Sequence, residues 1–250
     1  MVFEVSFTPR KIFAALAAGL AAMGMFASSA WAIQISPLFI DMSVPSSGQT
    51  TLLVRNDSTA ETPVEIVVMK RIFKEDGTEE RVPTDDLLVF PPQTVLAAGK
   101  TQTFRVQYVG DLELAESALF AVTATPVAVT LKQGNTDLAL TVAFSSLVHV
   151  SPRDAESQLS LQDQKPATTE EGAPAISFIA RNDGARHAYL SRTKGVLVSD
   201  SESGRTVTYQ SELTTLLKST LLPPNSAKAF VMPLPEGMSN PSTVTLTLVE

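Results

Sequence analysis

Residues 136–150 read TDLALTVAFSSLVHV, and the fold turns on that stretch. It holds no Gly and no Pro, and Val, Leu, Thr and Phe dominate, the composition of a β-strand. Its period is two: Leu138, Leu140, Val142 and Phe144 share one face, and Ala139, Thr141, Ala143 and Ser145 the other. A strand of this length outruns the roughly five or six residues usual in a sandwich. It is therefore expected to run past its neighbours and offer an unpaired apolar edge. Most proteins blunt such an edge with charge or proline; here neither charge nor proline follows Asp137 until Pro152. Taken alone, the alternation also fits an ordinary half-buried core strand.

Far upstream, Arg10 and Lys11 precede an apolar run from Ile12 to Phe26, and Ala30-Trp31-Ala32 forms a small-residue cleavage site. Residues 1–32 thus read as a signal segment for export, too short in its apolar part to span a bilayer comfortably. Residues 33–250 suffice for two sandwich domains of about 100 residues each. The chain has no cysteine, so each domain must be stabilised by its own packed core rather than by disulfides. A net charge of −7 without a basic block argues against nucleic acid as a partner. His149 and His187 are the only histidines, too few ligands for a zinc site of the usual kind, and no metal or cofactor is expected.

The remaining sequence predicts strands separated by turns, with almost no helical periodicity. In the first part these are Gln34–Met42 (interrupted by Pro37 and so suited to an edge), Thr50–Arg55, Val64–Phe73, Leu87–Phe90, Thr101–Tyr108 and Glu116–Leu131. With the opening stretch they make seven. Pro152 closes this module, giving domains 33–152 and 153–250. Gln162–Gly172, polar and carrying prolines and paired glutamates, reads as a loop. Strands follow at Ala175–Arg181, Ala188–Val198, Thr206–Tyr209, Ala227–Met232 and Thr243–Val249, while Leu213–Leu222 fits either a short helix or an extended loop. Asn56-Asp57 and Asn182-Asp183 occupy similar places in the two halves, a hint that the sandwiches are related.

No nucleophile elbow, phosphate-binding loop or dinucleotide fingerprint occurs. The carboxylate pairs Glu79-Glu80, Asp85-Asp86 and Glu170-Glu171 lie in polar loops, without the desolvation a general acid needs. His149, opposite Val148 and Val150, reads as a partly exposed strand residue, and His187 as a surface residue after a turn. No constellation supports an enzyme.

Several segments, in their order, resemble the PapD-like periplasmic chaperones of pilus assembly. These are Val54-Arg55-Asn56, Val89-Phe90-Pro91-Pro92, Ala98-Gly99, Thr103-Phe104-Arg105-Val106 and Glu116-Ser117-Ala118-Leu119-Phe120, then Pro126 and an alternating strand ending in proline. The resemblance covers nearly all of residues 33–250. It implies an all-β fold of two immunoglobulin-like sandwiches in a boomerang arrangement. It also implies that the seventh strand of the first domain completes a pilus subunit lacking its own last strand, and that the subunit passes to an outer-membrane usher. On this resemblance the donor residues are Leu138, Leu140 and Val142, extended by Phe144. Burying three or four such side chains contributes about 5–12 kcal/mol before entropy costs, and each ladder bond adds about 1 kcal/mol.

Better-known members hold the subunit carboxylate with an Arg on the first strand and a Lys on the seventh. Those positions are Ile40 and Leu147 here, and neither side chain pairs a carboxylate. The difference suggests the divergent, archaic branch of the family, with Arg105 and Arg153 as the nearest substitute anchors. Glu116 resembles a glutamate at the domain junction, with Arg153 in place of its usual partner. The competing function is a structural pilin or adhesin, but Gln34–Met42 alternates poorly for a donor extension at the mature N-terminus.

Overall fold

The structure is a computed structural model that describes residues 33–45, 48–74, 77–127, 142–217 and 219–249. The first half runs β1 (Ile33–Ser36), β2 (Phe39–Val44), β3 (Gln49–Asn56), β4 (Thr62–Phe73), β5 (Glu79–Pro83), β6 (Leu87–Phe90), β7 (Gln93–Leu96), β8 (Thr101–Tyr108), β9 (Ala118–Pro126) and β10 (Phe144–Pro152). One sheet has the order β1-β3-β8-β6; the other has β2-β10-β9-β4-β5, with β7 also paired to β4. Alternation sets the inner faces: Leu52 and Val54 from β3, Phe104, Val106 and Tyr108 from β8, and Phe120, Val122 and Ala124 from β9 meet in one core.

The expected Gln34–Met42 strand is two strands in different sheets. Pro37 has no N–H to continue a ladder, and the chain passes from β1 at the edge of one sheet to β2 at the edge of the other. The edge position was legible; the change of sheet was not. Two short strands, β5 and β7, were not expected, being mostly polar and exposed. The expected Glu116–Leu131 strand is observed as β9 as far as Pro126, and its end from residue 128 lies outside the described residues.

The second half runs β11 (Leu159–Thr168), β12 (Pro174–Asn182), β13 (Ala188–Tyr189), β14 (Gly195–Asp200), β15 (Thr206–Tyr209), α1 (Leu213–Leu216), β16 (Leu221–Leu222), β17 (Ser226–Pro233) and β18 (Val244–Val249). Sheets β11-β12-β17 and β15-β14-β18, with the β13–β16 pair, enclose a second core. There Phe178 and Phe230 stack at 5.5 Å among Val196, Val198, Leu213, Met232 and Leu246. The fold is all-β, two sandwiches in series.

Two readings in this half are corrected. Gln162–Gly172 is not a loop: most of it belongs to β11, an edge strand with a bulge between Gln162 and Lys165. Its largely exposed side chains left no apolar alternation to read. Ala188–Val198 is not one strand: a 3-10 turn at Leu190–Arg192 interrupts it. Gly195 then enters β14 at φ 138°, where a Cβ would lie 2.7 Å from the Tyr209 carbonyl oxygen.

Candidate functional site

Two features stand out where the first sandwich meets its surroundings. One is the leading end of β10. Against β9 its pairing runs from Phe144↔Ala124 to Val150↔Ala118. Against β2, parallel, it begins only at Leu147↔Phe39 and runs to Pro152↔Val44. The Leu147 amide donates to the Leu38 carbonyl at 2.8 Å, and the Ser146 hydroxyl to the Pro37 carbonyl at 2.8 Å. From Phe144 to Ser146, therefore, the β2-side edge has no strand partner among the described residues.

The side chains change environment along the same strand. Val148 and Val150 are fully buried in the first core. Two and four residues before Val148, on the same parity, Ser146 is buried and Phe144 is 37% exposed; Val142 is 45% exposed. On the opposite parity Ser145 hydrogen-bonds to Thr123 at 2.7 Å. The face that packs the domain's own core thus emerges as exposed apolar surface. Leu138 and Leu140, the other expected donor residues, lie outside the described residues.

The second feature is the junction between the sandwiches. Asp41 of β2 and His149 of β10 are register partners. Asp41 Oδ1 lies 3.2 Å from His149 Nδ1 and 3.2 Å from His187 Nε2 of the second sandwich. The two imidazole centroids are 4.2 Å apart. Each far nitrogen meets a hydroxyl: His149 Nε2 is 3.4 Å from Tyr189 Oη, and His187 Nδ1 is 3.2 Å from Ser117 Oγ. Ser117 Oγ also accepts the His187 amide at 3.2 Å and contacts Ser151 Oγ at 2.7 Å. Arg192 reaches Asp41 Oδ2 at 3.5 Å and lies over the rings of Phe39 and Tyr189, at 4.9 and 4.6 Å. The Ser117 amide donates to the Ala185 carbonyl at 2.9 Å, joining the sandwiches through main chain as well.

This corrects both histidine expectations. His149 is fully buried and His187 nearly so, because each is covered by the opposite sandwich, which a strand pattern does not encode. Burial is the first cause lowering His149 to about 4, outweighing the hydrogen bond to Asp41. Hydrogen bonds from His149 and then His187 hold the Asp41 carboxyl well below the usual carboxylate range. Burial pushes the Tyr189 phenol up to about 12. The cluster is therefore a carboxylate held by two imidazoles, of which burial keeps His149 neutral near neutral pH.

The other expected site residues are dispersed. Arg105 projects from the exposed parity of β8, in register with Thr51 and Phe90. Arg153 is exposed just after β10, its amide donating to the Val44 carbonyl at 3.0 Å. Glu116 accepts from Asn225 Nδ2 of the second sandwich at 2.8 Å. Ile40 is in the first core and Leu147 is half-buried. A cleft of about 490 Å3 beside Glu116 is lined by Lys70, Arg71, Lys74 and Arg181. Each of these cations faces a carboxylate: Asp86, Glu79, Glu80 and Asp183 respectively.

Similarity in three dimensions decides the fold. The class 5 fimbriae chaperone CfaA superposes with a TM-score of 0.53 and 16% identity, over 87% of this chain and 98% of the other. A structure of a Salmonella enterica SafA pilin in complex with the SafB chaperone gives 0.51 and 17%, over 83% and 86%. The E. coli chaperone DraB gives 0.50 and 16%, over 83% and 88%. The chain has the fold of the fimbrial chaperones. No protein-family model matches the sequence, and no curated protein does. At these identities the fimbrial-chaperone likeness lies in the backbone: two sandwiches in the same order over most of the chain.

Proposed function

We propose that this protein is a non-enzymatic periplasmic chaperone of pilus assembly. It binds pilus subunits, completes their sandwiches with its seventh-strand stretch, and delivers them to an outer-membrane usher. The carrying observation is the leading end of β10, where Phe144 and Val142 are exposed beside an edge that β2 leaves unpaired. Such an edge supplies ladder hydrogen bonds, and its alternate side chains fill pockets in the added partner. Leu138, Leu140, Val142 and Phe144 form the donor face in this reading. Residues 1–32 direct export and are removed, and residues 33–152 and 153–250 are the two domains. That Ile40 and Leu147 supply no cation supports a divergent, archaic member of that group, with Arg105 and Arg153 as candidate anchors and Glu116 as a junction residue.

The test is Leu140→Asp, read by circular dichroism, melting and pull-down of a co-expressed pilus subunit. In the free chaperone a charge on a wet face costs little, whereas in the complex it lies unpaired in an apolar groove. The expected result is a folded protein that no longer captures subunit, with Thr141→Val far milder. Unfolding of Leu140→Asp assigns that face to the chain's own core instead, and normal capture by a folded variant removes the donor assignment.

A further inference from the structure

We propose that Asp41, His149 and His187 form a binding site for a divalent transition-metal ion, zinc by preference, clamped between the two sandwiches. This does not depend on the chaperone reading. Asp41 Oδ1, His149 Nδ1 and His187 Nε2 all lie within 4.8 Å of one another, and the carboxylate oxygen is 3.2 Å from each nitrogen. Ligand atoms bound tetrahedrally at about 2.0–2.1 Å stand about 3.3 Å apart. Two edges of the ligand triangle are already at that spacing; the edge between the nitrogens is the one that adjusts.

The surroundings suit ligation. A ligating histidine is oriented by a partner on its other nitrogen, and Tyr189 Oη and Ser117 Oγ occupy those positions. With a metal bound, each imidazole would carry its proton on that far nitrogen and donate it to the hydroxyl, while its near nitrogen takes the metal. Two imidazoles and one carboxylate favour zinc, cobalt or nickel over calcium or magnesium, which take oxygen shells. Asp41 is 41% exposed along its side chain, so solvent completes the shell. Arg192 opposes the site, drawing on Asp41 Oδ2 with its positive charge.

That opposition gives a test that a purely structural hydrogen-bond cluster would not pass. Purified, untagged protein, stripped with a chelator, is titrated with zinc by calorimetry and with cobalt by visible absorption. One saturable zinc per chain and a cobalt ligand-field band are expected. His187→Gln and Asp41→Asn should each weaken zinc at least about tenfold, with the far-ultraviolet dichroism unchanged. Arg192→Gln, at an exposed position, should bind zinc as tightly or more tightly. The proposal is overturned if the unmodified protein binds neither ion saturably, or if folded His187→Gln and Asp41→Asn bind as it does. It is also overturned if Arg192→Gln binds zinc more weakly. Should both ligand variants unfold, the cobalt spectrum of the unmodified protein decides, because nitrogen ligation shifts the band from that of the aqueous ion and its absence rejects the site.

Discussion

Arg55-Asn56-Asp57 in the first sandwich and Arg181-Asn182-Asp183 in the second make the same turn with different supports. In each, the buried asparagine donates Nδ2 to the carbonyl four residues on: Ala60 at 2.8 Å and Arg186 at 2.8 Å. Nδ2 also reaches the carbonyl forty residues on: Leu96 at 2.9 Å and Leu222 at 3.3 Å. Its Oδ1 accepts the amide two residues on, from Ser58 at 2.9 Å and Gly184 at 3.1 Å. Arginine Nε meets the following aspartate in both. The first asparagine recruits the Ser58 hydroxyl at 2.7 Å, the second the Gln158 amide at 3.1 Å. Gly184 is required there, since a Cβ would stand 2.3 Å from the Glu156 carbonyl oxygen.

The two sandwiches share a corner but end differently. β18 is an edge strand along its whole length, each residue from Val244 to Val249 having a partner in β14 and no strand on its other side among the described residues. In β10, the leading three residues have β9 on one side and no strand on the other among the described residues. A corner repeated in both halves serves stability, whereas β10 loses its second neighbour only at its leading end, where Phe144 is exposed.

The largest expected effect comes from the shared corner. Asn56→Ala and Asn182→Ala should each destabilise by about 3 kcal/mol or more, because buried groups left unmatched cost roughly 1–3 kcal/mol each. Urea denaturation checks this, and a silent substitution on either side breaks the equivalence of the corners. Next, Val148→Ala should cost about 2–3 kcal/mol by opening the first core. Phe144→Ala, four residues earlier on the same face, should change stability by less than about 1 kcal/mol. In the chaperone reading it should lower subunit capture about tenfold. Equal losses of stability would erase the distinction between the two ends of β10.

Acid should act on the two halves through different partners. Glu79 is lowered to about 2, first by hydrogen bonds from buried Arg71, at 2.7 and 3.1 Å. Asp200 is lowered to about 2 by the hydroxyls of Ser203 and Thr243. Both carboxylates ionise more readily folded than unfolded, so their contributions are complete above their ordinary values of 4.5 and 3.8. Each drains as pH falls toward 2. Salt should shrink the Glu79 effect, an ion pair, and leave the Asp200 effect nearly unchanged; Glu79→Gln and Asp200→Asn melting curves against pH and salt separate them. The smallest effect belongs to the exposed pairs at the corners: Arg55→Ala and Arg181→Ala should each stay within about 0.5 kcal/mol in the same urea assay.

Much of the fold was legible because burial on one face leaves a period of two. β3, β8 and β12 stand close to where alternation put them, with buried side chains spaced two apart in β3 and β8 and, from Ile176 on, in β12. The paired asparagines were legible as well, since turn residues act locally. β11 was not, because an exposed edge strand carries no apolar signal. The junction was hidden for another reason: Asp41 and His149 are separated by 108 positions and meet only once β2 lies beside β10. His187 joins them from the second sandwich. Nothing local to any of the three residues marks that meeting. Its only sequence trace is that the two histidines are the sole ones in the chain.

Because Val148 and Val150 anchor β10 in the first core, they also set the phase of everything ahead of them on that strand. The buried valines act as the datum of a ruler, and Phe144 and Val142 are read off its overhanging end. Removing one residue between Phe144 and Val148 would leave the core intact and turn the protruding side chains over. The domain's own packing thus writes the reading frame in which a partner strand is met.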